Sequence, residues 1–255
     1  MGFRYLNQIA SQEHIAEFLE LADLVAGGGD SASNVFELSR RISGNPMVLC
    51  ERTLKQDPSA AALIARRQLS GPYDVAALKQ LPKGSLGYTY AKVMEAMGYD
   101  IDFFPDPAFY NNLENDADYI NYRVYATHDL HHILSGFSLD NFGELGVISI
   151  SVSQFRFPGF VFVDLVSLML SFFQTDKLEN EFTDAAERAG SIDYGFDLIM
   201  QGMEMGIKAK PLFPILWEER MAENLEDLRQ ELGIEPVREG PYSWYSNAAI
   251  RDALS

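Results

Sequence analysis

Cysteine is almost absent: the 255-residue chain has one, Cys50. A lone thiol cannot close an internal disulfide, and without a Cys or His beside it cannot build a thiolate metal cage; both facts fit a reducing compartment. Basic residues are scarce too. Twenty Lys and Arg stand against 37 Asp and Glu, a net charge of −17. A surface this negative repels phosphate backbones and gains nothing from anionic lipid headgroups, so nucleic acid is excluded as a partner. Long apolar runs are also missing. The greasiest stretch, residues 145–175, is broken by Arg156, Pro158 and Asp164, which leaves uncharged runs of about eleven residues where a bilayer span takes about 18–20. The first twenty residues carry Glu13, Glu17 and Glu20 and no basic start ahead of an apolar run. Neither a secretory signal nor a transit peptide is expected, and the expected location is cytoplasmic.

What remains is the composition of an ordinary folded protein, 47% hydrophobic and 22% charged. A chain of this length buries roughly three quarters of the surface its unfolded form exposes, enough for one core without a staple. Helical punctuation dominates. Ser11 caps an amphipathic run through Ile15, Phe18, Leu19, Ala22 and Val25, which Gly27, Gly28 and Gly29 stop; with no strand before it and no Gly-Lys-Ser/Thr, that triplet reads as a helix terminator, not a phosphate loop. Further helices are predicted at 33–43, 58–69, 73–80, 86–97, 113–134, 139–155, 159–173, 181–206 and 215–232, with Gly, Asn and Pro between them. Residues 147–152 alternate like a strand, but no second strand candidate lies nearby to pair with them, so they read as helix. The expectation is an all-α fold: one helical domain over 1–255, with 236–255 as a tail packed on the core.

The chemistry concentrates in Thr127-His128-Asp129-Leu130-His131-His132. On a helix His128 and His132 are i and i+4 and share a face, which Asp129 borders. Gly136 ends that helix, and Glu144 lies about as far past the turn as His132 lies before it, so antiparallel neighbours bring them to one height. Two imidazoles with one or two carboxylates suit zinc, iron or manganese, with an open coordination position for water or substrate. His128, His132 and Glu144 are the expected direct ligands, and Asp129 a fourth ligand or an orienting base. His131 points off this face and reads as structural. A zincin would need Glu at position 129, and a di-iron bundle a second His-bearing helix; both fit poorly. A phosphohydrolase with a His-Asp pair stays open, with His14 as its upstream histidine.

The order His128-Asp129-x-x-His132, eleven residues, Glu144 resembles the signature of the coenzyme Q (ubiquinone) biosynthesis protein 4 family. Leu81-Pro82-x-x-Ser85-Leu86-Gly87 upstream, and Gly202, Gly206, Lys208, Leu216-Trp217-Glu218-Glu219 and the Leu225 to Ile234 run downstream, are similar to it as well, so the likeness spans 81–235. The resemblance implies an all-helical, membrane-peripheral protein acting on the head group of a prenylated benzoquinone precursor. It implies His128, Asp129, His132 and Glu144 as a divalent-metal motif, zinc first with iron or magnesium as alternatives, and Asp129 and Glu144 as the proton-moving catalytic pair. Arg123 would be the head-group-binding arginine; a second basic position of the family is Tyr125 here. The expected function is oxidative decarboxylation of a prenylated hydroxybenzoate, or alternatively a non-catalytic prenyl-lipid scaffold for a biosynthetic complex.

A prenyl chain needs an apolar crevice beside the polar site. Phe155, Phe160, Leu165, Met169 and Met203 are the candidate lipid-binding residues, with Met200 and Met205 as adaptable lining. Gly202-x-x-x-Gly206 allows a close helix crossing, within the core or in a homodimer. On so acidic a chain, contact with the inner face of a membrane would depend on apolar and aromatic residues, with Trp244, Tyr242 and Tyr245 as candidates.

Overall fold

Why this chain becomes a bundle is visible at its helix ends. The structure, a computed structural model, describes residues 5–26, 37–42, 44–99, 104–140, 143–175 and 192–255. Its helices are α1 (Gln12–Ala26), α2 (37–41), α3 (Asn45–Leu54), α4 (Pro58–Arg66), α5 (Val75–Leu78), α6 (Leu86–Met97), α7 (Asp116–Ser135), α8 (Gly143–Phe155), α9 (Pro158–Thr175), α10 (Ile192–Lys208), α11 (Leu225–Leu232) and α12 (Ala248–Leu254). Side chains of Asp57, Ser85, Asn115 and Asn224 accept first-turn amides of α4, α6, α7 and α11, and left-handed Gly98, Gly136 and Gly233 end α6, α7 and α11. Among the described residues there is no strand, only two isolated bridges, Ser85 with Asn224 and Phe137 with Ser243. The all-α expectation holds.

The centre of the bundle is α8, with α7, α9 and α10 packed around it and α3 touching it. This explains the strand-like 147–152 run. Val147, Ile148 and Ile150 are all buried, so the helix is enclosed on several sides, and burial outweighs the β preference of branched residues. α6 packs on α7 and on α12.

Several elements differ from the sequence reading: α3 (Asn45–Leu54) and α12 (Ala248–Leu254) fall where no helix is expected, and the 73–80 helix is the single turn α5. The predicted 215–232 helix is a short 3-10 turn, Trp217–Glu219, followed by α11. Residues 221–225 instead pair with the entry to α6, through Leu86 N–H to Glu223 O at 2.9 Å, Gly87 N–H to Met221 O at 2.8 Å and Leu225 N–H to Gly84 O at 2.9 Å. Asn224 then caps α11, the role for which Asn competes best. The 139–155 helix starts at Gly143, because Asp140 accepts the Gly143 amide at 2.8 Å. The Gly27–Gly29 stop, residues 33–36 of the predicted second helix and residues 181–191 of the predicted 181–206 helix lie outside the described residues.

The C-terminal end of α7 is unusually well satisfied. A helix leaves its last four carbonyls without intrahelical partners. Here Arg229, fully buried on α11, donates to Leu134 O at 2.8 Å and Ile133 O at 2.5 Å. The Val237 amide reaches Ser135 O at 2.8 Å, and the Trp244 indole N–H reaches His132 O at 2.9 Å. A Cβ on Gly136 would overlap the Val237 backbone, and its φ of 82° also calls for glycine.

α10 approaches α8 backbone to backbone. A Cβ on Gly202 would overlap the Gly146 carbonyl oxygen, and one on Gly206 would meet Ile150 O and Ser153 Oγ. The Gly202-x-x-x-Gly206 pattern thus serves a crossing inside the core. Gly202→Ala is expected to destabilise by about 1–3 kcal/mol through overpacking, read as a lowered urea midpoint with an unchanged m-value.

Candidate metal centre

Helix α7 presents His128 and His132 one turn apart, and the turn at Gly136 brings α8 back alongside. His128 Nε2 stands 2.7 Å from Glu144 Oε1, His132 Nε2 stands 3.0 Å from Glu144 Oε2, and the two Nε2 atoms are 3.3 Å apart. His132 is almost wholly buried while the Glu144 side chain keeps 36% of its surface, so the cluster opens to solvent on the carboxylate side. Both His132 nitrogens face acceptors, Nδ1 the Phe137 carbonyl at 3.4 Å and Nε2 the Glu144 carboxylate at 3.0 Å, so a neutral ring with one hydrogen satisfies only one of them; with a cation at Nε2 the hydrogen would belong on Nδ1.

Lone pairs at this spacing repel one another unless positive charge lies among them, as protons or as a cation. Two imidazole nitrogens bound at about 2.0–2.1 Å to a tetrahedral ion stand about 3.3–3.4 Å apart, the separation found here. His128, His132 and Glu144 form the group able to hold a metal ion among the described residues, their ligand atoms all within 4.8 Å. Asp129 lies outside that group. One residue past His128 and three before His132 it borders their shared face, and its carboxylate does not join the ligand atoms that lie within 4.8 Å of one another. Burial raises its pKa, with the Glu144 charge adding and the two imidazoles opposing.

Burial alone would raise the Glu144 carboxyl; His128 and His132 overcome it and hold it far below its ordinary 4.5. For His128 burial disfavours the proton, and Glu144 more than offsets this, so its pKa rises above 6.5. His131, packed against Trp217 with ring centroids 6.1 Å apart, is pushed down to about 3 by burial and by the neighbouring imidazoles. It is a neutral core residue.

Arg123 has other partners than a head group. It is fully buried, donating to Phe213 O at 2.9 Å, Ser70 Oγ at 2.8 Å and Ile215 O at 2.6 Å, and it ties α7 to the 213–215 segment. Tyr125 packs on Phe157 and Phe160. The five lipid candidates divide. Phe155 and Phe160 are core residues, Phe160 lying against His128 at 5.5 Å. Leu165 at 50% and Met203 at 36% are exposed, and Met169 is half-buried, on the outer faces of α9 and α10. Trp244 and Tyr242, read as membrane contacts, are buried because the tail folds back on α7, and half-buried Tyr245 stacks on Trp244 at 3.7 Å. Asp164 of α9, read in the sequence only as a break in an apolar run, is buried, accepts from Ser149 Oγ at 3.1 Å and is pushed up to about 7, chiefly by burial.

Comparison with known proteins matches residues 29–238 to the family described as Coenzyme Q (ubiquinone) biosynthesis protein Coq4. The chain belongs to this family. Among its relatives are the mitochondrial ubiquinone biosynthesis proteins COQ4 of Clavispora lusitaniae, 26% identical over 209 residues, and of Coccidioides immitis, 26% identical over 215 residues. These alignments cover 81% and 84% of this chain but 60% and 66% of the relatives, so the chain spans less than two thirds of their length. A crystal structure from Nostoc punctiforme, of a protein assigned to ubiquinone biosynthesis, shares the fold with a TM-score of 0.69 at 22% identity, covering 86% of this chain and 95% of that one. The Coq4 match includes all three clustered residues.

The paired shifts set a pH window for the metal-free protein. A depressed carboxyl stabilises above its ordinary 4.5, and this is lost as pH falls through the folded value. A raised histidine stabilises below 6.5, and this is lost as pH rises through the folded value. The contact is fullest between those two ordinary values. Glu144→Gln is expected to lower the melting temperature of metal-free protein most in that window, and less above it; a gap that widens toward pH 8 would contradict the assignment.

Proposed function

We propose that this Coq4-family chain holds a divalent cation, zinc first, between His128, His132 and Glu144, and acts there on the polar end of a prenylated hydroxybenzoate. One observation carries the reading: two Nε2 atoms and one carboxylate converge at metal-ligand spacing, in a niche that is closed at His132 and open at Glu144. The donor set suits zinc or iron, whereas magnesium takes oxygen-rich octahedral sites.

The bound ion would supply Lewis acidity toward a ring phenolate or carboxylate oxygen. The chain's own residues do the rest. Phe137 O fixes the His132 ring by accepting from Nδ1, and the Phe160 ring closes one side of His128. Glu144 stays ionised, and half-buried Asp129, which borders the face shared by the two imidazoles and has a raised pKa, is proposed as the group that takes and returns a proton. The reaction proposed is oxidative decarboxylation of the precursor in the cytoplasm: the bond from the ring to its carboxylate breaks, CO2 leaves and a ring hydroxyl forms, and the two electrons removed go to an oxidant from outside the chain, dioxygen where the ion is iron and a separate two-electron oxidant where it is redox-inert zinc.

The prenyl chain is assigned to the outer apolar face of α9 and α10. Leu165, Phe172 and Phe173 on α9, and Phe196, Met200 and Met203 on α10, are exposed at helical spacing, an arrangement monomeric soluble surfaces avoid. Among the described residues no helix is long and apolar enough to cross a membrane. The same face supports the second reading, a scaffold that holds prenyl lipid, a bilayer surface or a second copy of the chain without performing chemistry.

Two experiments divide the readings. His132→Ala should abolish stoichiometric zinc, weakening it by more than the roughly 10–100-fold that loss of an orienting partner costs. Turnover of a prenylated hydroxybenzoate should disappear with it while the fold is kept; full turnover without metal would refute the catalytic assignment. Leu165→Glu with Met203→Glu should abolish flotation with zwitterionic vesicles carrying a prenylated phenol and leave zinc uptake intact. Undiminished flotation would refute the lipid face.

A further inference from the structure

The first histidine of the motif meets its neighbours in the bundle, Glu144 and Phe160, but the second is also held by a segment more than a hundred residues away. The turn after α7 runs beside residues 237–244. Val237 N–H donates to Ser135 O at 2.8 Å, Trp244 N–H to Gly136 O at 3.0 Å, and Ser138 N–H to Tyr242 O at 2.7 Å. Ser243 Oγ–H closes the segment on itself, donating to Val237 O at 2.7 Å. Phe137, between two of these bonds, is the residue whose carbonyl lies at His132 Nδ1, and its ring lies against Gly146, two residues past Glu144. The Trp244 indole N–H meanwhile donates to the backbone carbonyl of His132 itself.

We propose that Trp244, with the 237–244 segment that carries it, positions His132 for cation binding. The inference rests on the metal reading above and assigns a role to a region that the motif does not include. The physical reason is that a ligand's affinity depends on its ring orientation as well as its presence, and orientation here comes from the carbonyls at both ends of His132. Trp244 fixes one of them through its side chain. Its own amide, pairing with Gly136, holds the turn that offers the other.

The test uses the full chain and two metal probes. Trp244→Phe keeps an aromatic ring in the core and deletes the indole N–H. Ile250→Val, buried in α12 of the same tail without contact to His132, serves as the comparison for loss of packing. Zinc affinity is measured by competition with a chromophoric chelator, and site geometry by the visible spectrum of the Co²⁺-loaded chain. Trp244→Phe should weaken zinc about tenfold and alter the Co²⁺ bands, while Ile250→Val changes neither. Zinc affinity within twofold of the wild type, with unchanged bands, overturns the positioning role. If Trp244→Phe fails to fold, Ser243→Ala, which frees the Val237 carbonyl, should move both readouts in the same direction, and no movement would overturn the role. A wild-type chain that takes up neither Zn²⁺ nor Co²⁺ overturns the metal reading itself, and this inference with it.

Discussion

The closing of the α7 C-terminus is the constraint on which the rest depends. A buried helix end presents carbonyls that cannot be left bare, since an unpaired buried acceptor costs about 1–3 kcal/mol. Arg229 from α11, Val237 from the loop after it and Trp244 from the tail all donate there. Those donors come from parts of the chain that share no local pattern with α7, so satisfying them docks the whole C-terminal third onto the motif helix. The turn at Gly136 is then free to send α8 back along α7, and Glu144 arrives opposite the imidazoles.

The site follows from that geometry by electrostatics. A carboxylate between two imidazoles in a partly desolvated niche favours positive charge there, whether protons or an ion, and the opposite shifts of Glu144 and His128 express the same attraction from its two ends. Farther in, Asp164 sits beneath the exposed face of α9 with its carboxyl near neutrality. Net charge and the apolar face fit together. At −17 the protein has no electrostatic pull toward anionic surfaces, so the adhesion proposed along α9 and α10 would rest on apolar side chains.

Much of the fold was legible because it depends on local signals. Ser85, Asn115 and Gly136 mark helix ends by their own side-chain or backbone chemistry, and the i, i+4 spacing of His128 and His132 fixes their shared face wherever the helix is packed. Arg229 left a trace as well: it falls on the stripe of Leu225, Leu228 and Leu232, where a solvated arginine would be out of place. The misreadings were long-range. Residues 215–232 looked like one helix because their backbone partners at 84–87 lie far away in sequence. Trp244 looked like a surface aromatic because its partner is a backbone carbonyl on α7.

By itself, then, the sequence determined the all-helical class, most of the helices and the three side chains that meet, because capping, periodicity and i, i+4 spacing act over a few residues, while the motif's resemblance pointed to the family. Only the tertiary structure decided that Asp129 stays outside the ligand group, that Arg123 is an internal tie, and that the greasy candidates divide between core and outer face. Those outcomes depend on which distant carbonyls and rings each side chain encounters once the helices cross, and no local spacing encodes that.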